Sequence, residues 1–128
     1  MKIDTEDDII LVRRKARDIA VSCKFDVFAA SAVTTAASEL ARNVWVHAGQ
    51  GIAVLSKVTD DTRVGVELEF IDHGPGIQHL ERVLAGGYST ARSMGLGLSG
   101  SKRLVDEFEI DSEPGRGTRV VVTKWAPY

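Results

Sequence analysis

The stretch "VGVELEFIDHGPGI", residues 64–77, decides how the rest of the chain is read. From Val64 to Ile71 apolar residues alternate with polar or small ones, which is the period of a strand with one face against a core. The strand ends on a carboxylate, Asp72, and two glycines then flank Pro75, so the backbone is shaped closely around something. Turn formation alone would also place Asp, Gly and Pro here. Asp starts turns, Pro fixes φ, and Gly supplies conformations that other residues avoid. The sequence on either side has to choose between the two.

Working outward, Ile52 to Val58 alternates more weakly, and the polar "TDDTR" at 59–63 joins it to Val64–Ile71 as an antiparallel hairpin. Further upstream, Asp26 is suited to cap a long helix, "VFAASAVTTAASELARNVWVHA" at 27–48, which stops at Gly49 in the position of a left-handed C-cap. Its Ala, Ser and Thr residues would let a neighbouring element approach closely. An earlier helix runs from about Thr5, with Ile9, Ile10, Val12, Ala16, Ile19, Ala20 and Cys23 returning to one face and Glu6, Asp7 and Asp8 in the first turn. Arg13, Arg14, Lys15 and Arg17 lie on or beside its polar side, either as a solvated face or as a docking surface for a protein partner. Lys2 and Ile3 are enough only for a sheet edge.

Downstream of Pro75, a short amphipathic stretch from His79 to Ala85 leads into "GGYSTARSMGLGLSG", 86–100, which has no hydrophobic period and reads as a functional loop or lid. A helix is expected at Leu98–Glu107, with Leu98, Leu104, Val105 and Phe108 as core contacts. Phe108–Asp111 and Thr118–Trp125 form a second hairpin around the turn "SEPGRG", 112–117. The order predicts one domain over residues 1–128, an α+β two-layer sandwich with helices on one face of a mainly antiparallel sheet. A P-loop or Rossmann arrangement is excluded: the phosphate-loop lysine and the alternating strand–helix order are missing.

At 128 residues, 44% hydrophobic and 27% charged, the composition is that of an ordinary globular domain. A formal net charge of -2 argues against nucleic acid as a partner. No apolar run approaches the roughly 20 residues that span a bilayer, and Met1 to Asp8 lacks the pattern of a signal peptide, so a cytoplasmic protein without a membrane partner is expected. Cys23 stands alone and is expected to be a buried hydrophobe. His47, His73 and His79 lack zinc spacing.

Two further stretches join the one at Asp72. Glu39 and Asn43 are four residues apart on one helical face, with Arg42 beside them. A carboxylate and an amide stacked in this way suit magnesium, which takes oxygen ligands and keeps waters and phosphates; a surface polar cluster has the same spacing. His47, one more turn along, faces this site or packs in the core. The glycines of "GLGLSG", 95–100, precede the expected helix and offer free N–H groups at its positive end, a cradle for phosphate that a flexible hinge would mimic.

In order, "ELARN" at 39–43, "DHGPGI" at 72–77, "GLGLSG" at 95–100 and "GRGT" at 115–118 resemble the boxes of the gyrase, histidine-kinase and MutL superfamily of ATP-binding domains, the GHKL or Bergerat fold. "SELARNVWVHAGQG", "GGYSTARSMGLGLSGSKRLVDEFEI" and "GRGTRVVVTKW" are most similar to the small RsbT-type serine/threonine kinases of bacterial partner switching, more than to the sporulation anti-sigma kinases. The resemblance implies an ATP- and magnesium-dependent kinase. Its substrate would be a STAS-domain antagonist protein, and once released it would bind and activate a phosphatase, with a stressosome-like complex as a further setting.

Carried onto this chain, the resemblance makes Glu39 the general base, with Arg42 helping to neutralise phosphate charge and Asn43 as the magnesium ligand. Asp72 would accept a hydrogen bond from the adenine amine, with Gly74 and Gly76 letting the backbone pass close to the base and Ile77 and His47 beside the nucleotide. Gly95, Leu96, Gly97 and Leu98 would close on the phosphates, Ser89 and Thr90 in the lid would contact them, and Thr118 would support adenine through its hydroxyl. Two departures stand out: only Met1 to Ile3 is available for the family's N-terminal strand, and the lid between Gly86 and Met94 is short, implying an open site. Rival readings are an anti-sigma factor kinase and a module in which ATP only gates protein binding. A histidine-kinase fragment is disfavoured, since no His stands before an acidic residue at a helical start.

Overall fold

The computed structural model describes residues 1–78, 80, 84 and 92–127, with 92–97 described by their backbone only. Its elements are β1 (Lys2–Ile3), α1 (Glu6–Ser22), α2 (Val27–Ala48), β2 (Gly51–Asp60), β3 (Arg63–Asp72), α3 (Arg92–Leu104), β4 (Glu107–Glu113) and β5 (Gly117–Trp125). The strands form a single sheet in the order β1-β2-β3-β5-β4 with every pairing antiparallel. The α+β expectation holds, and the described sheet has no parallel pair.

Strand alternation explains which face is covered. Ala53, Phe70, Val120 and Ile110 lie side by side across four strands, and Leu55, Leu68, Val122 and Phe108 form the next such row. These apolar rows belong to the core shared with α1 and α2. The rows between them carry Val54, Glu69, Val121 and Glu109, and leave the opposite face charged. Register is thereby enforced, because a one-residue slip would exchange the two sets.

Both long helices end where their residues dictate. The Asp26 carboxylate accepts from the Ala29 N–H at 2.7 Å, and Gly49 closes α2 at φ +81°. On α1, Ile9, Val12, Ala16 and Ala20 are buried together with Cys23, as expected. Ile10, assigned to that face from sequence, is instead 53% exposed. One residue on from Ile9, it is turned about 100° around the helix, away from the sheet. Ala36, Ala37 and Ala41 on α2 are fully buried, and so is Ser101 on α3, which bears out the close approach that small residues allow.

The two-residue strand β1 is secured by Ile3, fully buried, and by Ala53 N–H donating to Met1 O at 2.8 Å. A second expectation is corrected at α3. The chain is already helical at Arg92, and Glu107 belongs to β4, whereas the sequence pattern places the helix at Leu98–Glu107. Small residues at 93–101 hide the helical period, and the edge pairing of Glu107 with Thr123 claims the far end. The lid residues Ser89 and Thr90 lie outside the described residues, as does most of the stretch from His79 to Ala85. Leu80 and Leu84 within it pack against the core.

Candidate active site

The C-terminal half of α2 crosses the ends of β3 and β5, and between them lies a narrow cleft with a cavity volume of about 20 Å3. Leu40, Val44, Phe70, Ile77, Leu98 and Val120 make its walls apolar, and Asn43, Asp72 and Thr118 supply the polar groups. Apolar walls with a few convergent polar groups are the usual make-up of a small-molecule site, although the cleft as it stands is too narrow to enclose a base. Sheet register brings two of these groups together: Asp72 ends β3 directly opposite Thr118, the second residue of β5.

One oxygen of the Asp72 carboxylate accepts from the Gly74 N–H at 2.9 Å. This bond holds the side chain and leaves the second oxygen for a donor such as an amine. The Ser112 hydroxyl is the junction behind the loop. It accepts from the Ile77 N–H at 2.9 Å, lies 2.8 Å from the Thr118 hydroxyl, and reaches Gly117 O at 3.2 Å. The Gly115 N–H donates to Pro75 O at 2.7 Å. The loop after β3 is thus bonded along its length to the β4–β5 turn.

The loop glycines also make room for the protein itself. A side chain at Gly74 would meet Ala48 Cβ at 2.6 Å, and one at Gly76, whose φ is +72°, would run into the Glu113 carbonyl. The close approach they permit is made by α2 and the hairpin turn, so the loop packs against the protein itself. Gly97 and Leu98 lie inside α3, where their N–H groups point to carbonyls four residues back. Leu98 is buried and lines the pocket. Gly95 and Leu96 are helical as well.

On α2, Asn43 faces the pocket and Glu39 is half-buried one turn earlier, while Arg42 is exposed and lines none of the described pockets. Nδ2 of Asn43 and Nε2 of His47 are buried and make no hydrogen bond among the described residues. Burial pushes the His47 imidazole below its ordinary pKa, with the Asp72 charge pulling the other way, so the ring is neutral at pH 7. Unpaired buried polar groups are costly, and two on one face of α2 mark where a polar ligand fits. No group of three His, Cys, Asp or Glu able to hold a metal occurs among the described residues. A magnesium ion at Asn43 therefore fits only as a ligand-borne ion completed by phosphates and water.

Ser112 is the residue that sequence reasoning missed. It reads as the first residue of a turn, and its partner Ile77 is 35 positions away, so no local pattern points to it.

These features define an ATP-binding domain, and comparison with known proteins agrees. The family described as "Histidine kinase-, DNA gyrase B-, and HSP90-like ATPase" matches residues 29–127, and the chain belongs to it. Within that family it is a serine/threonine-protein kinase of the RsbT type. The serine/threonine-protein kinase RsbT of Bacillus subtilis is 39% identical over 125 residues, covering 98% of this chain and 94% of that protein. The anti-sigma F factor of Caldanaerobacter subterraneus subsp. tengcongensis is 31% identical over 99 residues, covering 73% and 68%. Among solved structures, the mycobacterial sensor histidine kinase MprB has a TM-score of 0.56 at 22% identity over 75% of this chain and 71% of that one, a likeness of fold.

Proposed function

We propose that the chain transfers the γ-phosphoryl group of ATP to a serine or threonine of a STAS-domain antagonist, and that once released from it the kinase binds and activates a phosphatase. The observation that carries this reading is the convergence of Asp72, Thr118 and Asn43 on one apolar pocket, with Glu39 a single helical turn from Asn43. Asp72 reads the adenine amine; guanine would set a carbonyl against the carboxylate and leave both acceptors unpaired. Thr118, braced by Ser112, supports the base.

Phosphoryl transfer needs positioning and charge neutralisation more than covalent chemistry. Asn43 would hold magnesium through its carbonyl oxygen, and the ion when bound would neutralise phosphate charge. Glu39 orients the acceptor hydroxyl and takes its proton, and the exposed Arg42 meets phosphate from the solvent side. Helix propensity is low at Gly95 and Gly97, about 1 kcal/mol below alanine for each, so the start of α3 unwinds at small cost to present N–H groups to the phosphates. After transfer, a phosphoserine carries about -1.5 to -2 charges, which Glu39 repels, favouring release. A cytoplasmic setting and a stressosome-like complex complete this reading. Among the described residues no helix is long and apolar enough to cross a membrane.

The test is transfer of labelled γ-phosphate from magnesium ATP to a STAS-domain protein encoded beside this chain. Glu39→Ala is expected to lower transfer by about a hundredfold while leaving nucleotide affinity within a few-fold. Asp72→Asn should lose nucleotide binding itself, and equal affinity in this variant and the wild type would sink the adenine assignment. The similarity to anti-sigma F factors favours a second reading, a kinase that also holds a sigma factor. Transfer without sigma-factor binding decides against it.

A further inference from the structure

Between Leu98 and Ser101, α3 carries three features that its own conformation does not account for. The first is Leu98, which is 2% exposed and lines the cleft beside Asp72, where a volume of about 20 Å3 remains. That is room for about one water molecule, whereas small-molecule pockets run to roughly 300–1,000 Å3. The other walls belong to α2, to the paired strands β3 and β5, and to the loop that Ser112 ties to the β4–β5 turn. Leu98 is thus the wall on the element least bound to the rest. The second feature is Gly100. A Cβ there would meet nothing within 4 Å and its φ is not positive, so neither space nor backbone shape calls for glycine in the interior of a helix that glycine disfavours. The third is Ser101, fully buried, whose hydroxyl makes no hydrogen bond among the described residues. A hydroxyl buried without a partner destabilises the packing that encloses it.

The two parts of α3 are held unequally. Just past its C-terminal end, the Asp106 N–H donates to Thr123 O at 2.9 Å, and the Asp106 carboxylate accepts from the Trp125 N–H at 2.7 Å and lies 3.6 Å from Lys124 Nζ. The Glu107 carboxylate accepts from the Trp125 indole N–H at 2.5 Å. No such tie holds residues 98–101 among the described residues.

We propose that α3 is an autoinhibitory element: in the conformation observed Leu98 sits in the space of the base, and nucleotide enters when the helix breaks at Gly100 and withdraws Leu98 from the cleft. The inference rests on the ATP reading of the same site. Each of the three features then has a role. Burial of Leu98 favours the plugged form. Gly100 lets the backbone leave the helix without a steric penalty, and the stranded Ser101 hydroxyl keeps the plugged form from being too stable to open. The ties at Asp106 and Glu107 confine the break to the first part of the helix. Apparent affinity is then the intrinsic affinity reduced by the fraction of molecules that are open, so any change that stabilises α3 weakens nucleotide binding.

The test titrates the full chain with two probes, magnesium ATP and adenosine, alongside melting temperature. Gly100→Ala fits the observed helix without a clash and is expected to raise the melting temperature while weakening both probes by about fivefold. Ser101→Ala, which removes the stranded hydroxyl, should weaken both in the same way. Leu98→Ala shortens the plug and should bind both probes at least about threefold more tightly, in a less stable protein. A stabilised Gly100→Ala variant with unchanged affinity for both probes would overturn the proposal, and so would tighter binding. Weaker ATP binding with adenosine unaffected would also overturn it, because the rearrangement would then serve the phosphates alone. A wild-type chain that binds neither probe would remove the ATP reading and the plug together, whereas binding of both that the variants leave unaltered removes the plug alone.

Discussion

The two glycine-rich stretches, "DHGPGI" and "GLGLSG", look alike in sequence and are built on opposite principles. In the first, Gly76 holds a left-handed φ of +72° against the Glu113 carbonyl, and Gly74 lets Ala48 of α2 touch the loop. Hydrogen bonds from Gly115 and to Ser112 then close it onto the hairpin turn. In the second, the glycines are residues of a helix, and a Cβ at Gly100 would meet nothing within 4 Å. One stretch spends its glycines on a fixed loop shape, and the other on a helix of low intrinsic propensity. Under the proposed function, that division would suit a ligand with a rigid end and a reacting end: prearranged groups would hold the base, and backbone that can be rearranged would meet the phosphates.

The comparison can be broken most forcefully at Gly76. Alanine there combines an unfavourable φ with a backbone clash, and Gly76→Ala is expected to cost about 3 kcal/mol. An unchanged denaturation midpoint would mean that the loop is not locked. Ser112→Ala should have the next largest effect, about 1–2 kcal/mol, because it strands the Ile77 N–H and frees the Thr118 hydroxyl. It should also weaken nucleotide binding in isothermal titration, and a variant that loses neither stability nor affinity would remove Ser112 from the base site. At the other stretch the sign reverses: Gly100→Ala is expected to raise stability by about 0.5–1 kcal/mol, through helix propensity and a less flexible unfolded chain. A destabilised variant would reveal a close neighbour of α3 and collapse the contrast.

The smallest effect is in the pH dependence. Burial holds the His47 pKa below its ordinary 6.5, outweighing the Asp72 charge, so the folded chain binds fewer protons at this group than the unfolded one. The associated stability is present above pH 6.5 and is lost as the pH falls from there toward the lowered pKa. His47→Gln should flatten melting temperature against pH in that window, and an unaltered profile would show that the ring is freely hydrated.

How much of this was legible beforehand follows from the distances over which each feature is encoded. Asp26 and Gly49 bound α2 through neighbours a few residues away, and the alternation of Val64 to Ile71 is local, so helix ends and strand faces could be read from sequence. The grouping of Asn43, Asp72 and Thr118 was legible because each stands in a recognisable box, and in the structure all three line one cleft. The helix at Arg92 was not legible, since small residues carry no period. Nor was the exposure of Ile10, which turns on a rotation of one residue.

The sequence by itself determined most of the elements, the caps of α2, the inward and outward faces of the central strands, and the residue types of the candidate site. All of these depend on interactions within a few residues or on short motifs. Only the tertiary structure decided that β3 pairs with β5, setting Asp72 opposite Thr118, that Ser112 joins the base loop to the hairpin, and that the glycines make room for α2 and the turn. The seating of Leu98 in the cleft is of the same kind. These features join segments tens of residues apart. They exist only once burial of the apolar rows has offset the entropy of closing the loops between them.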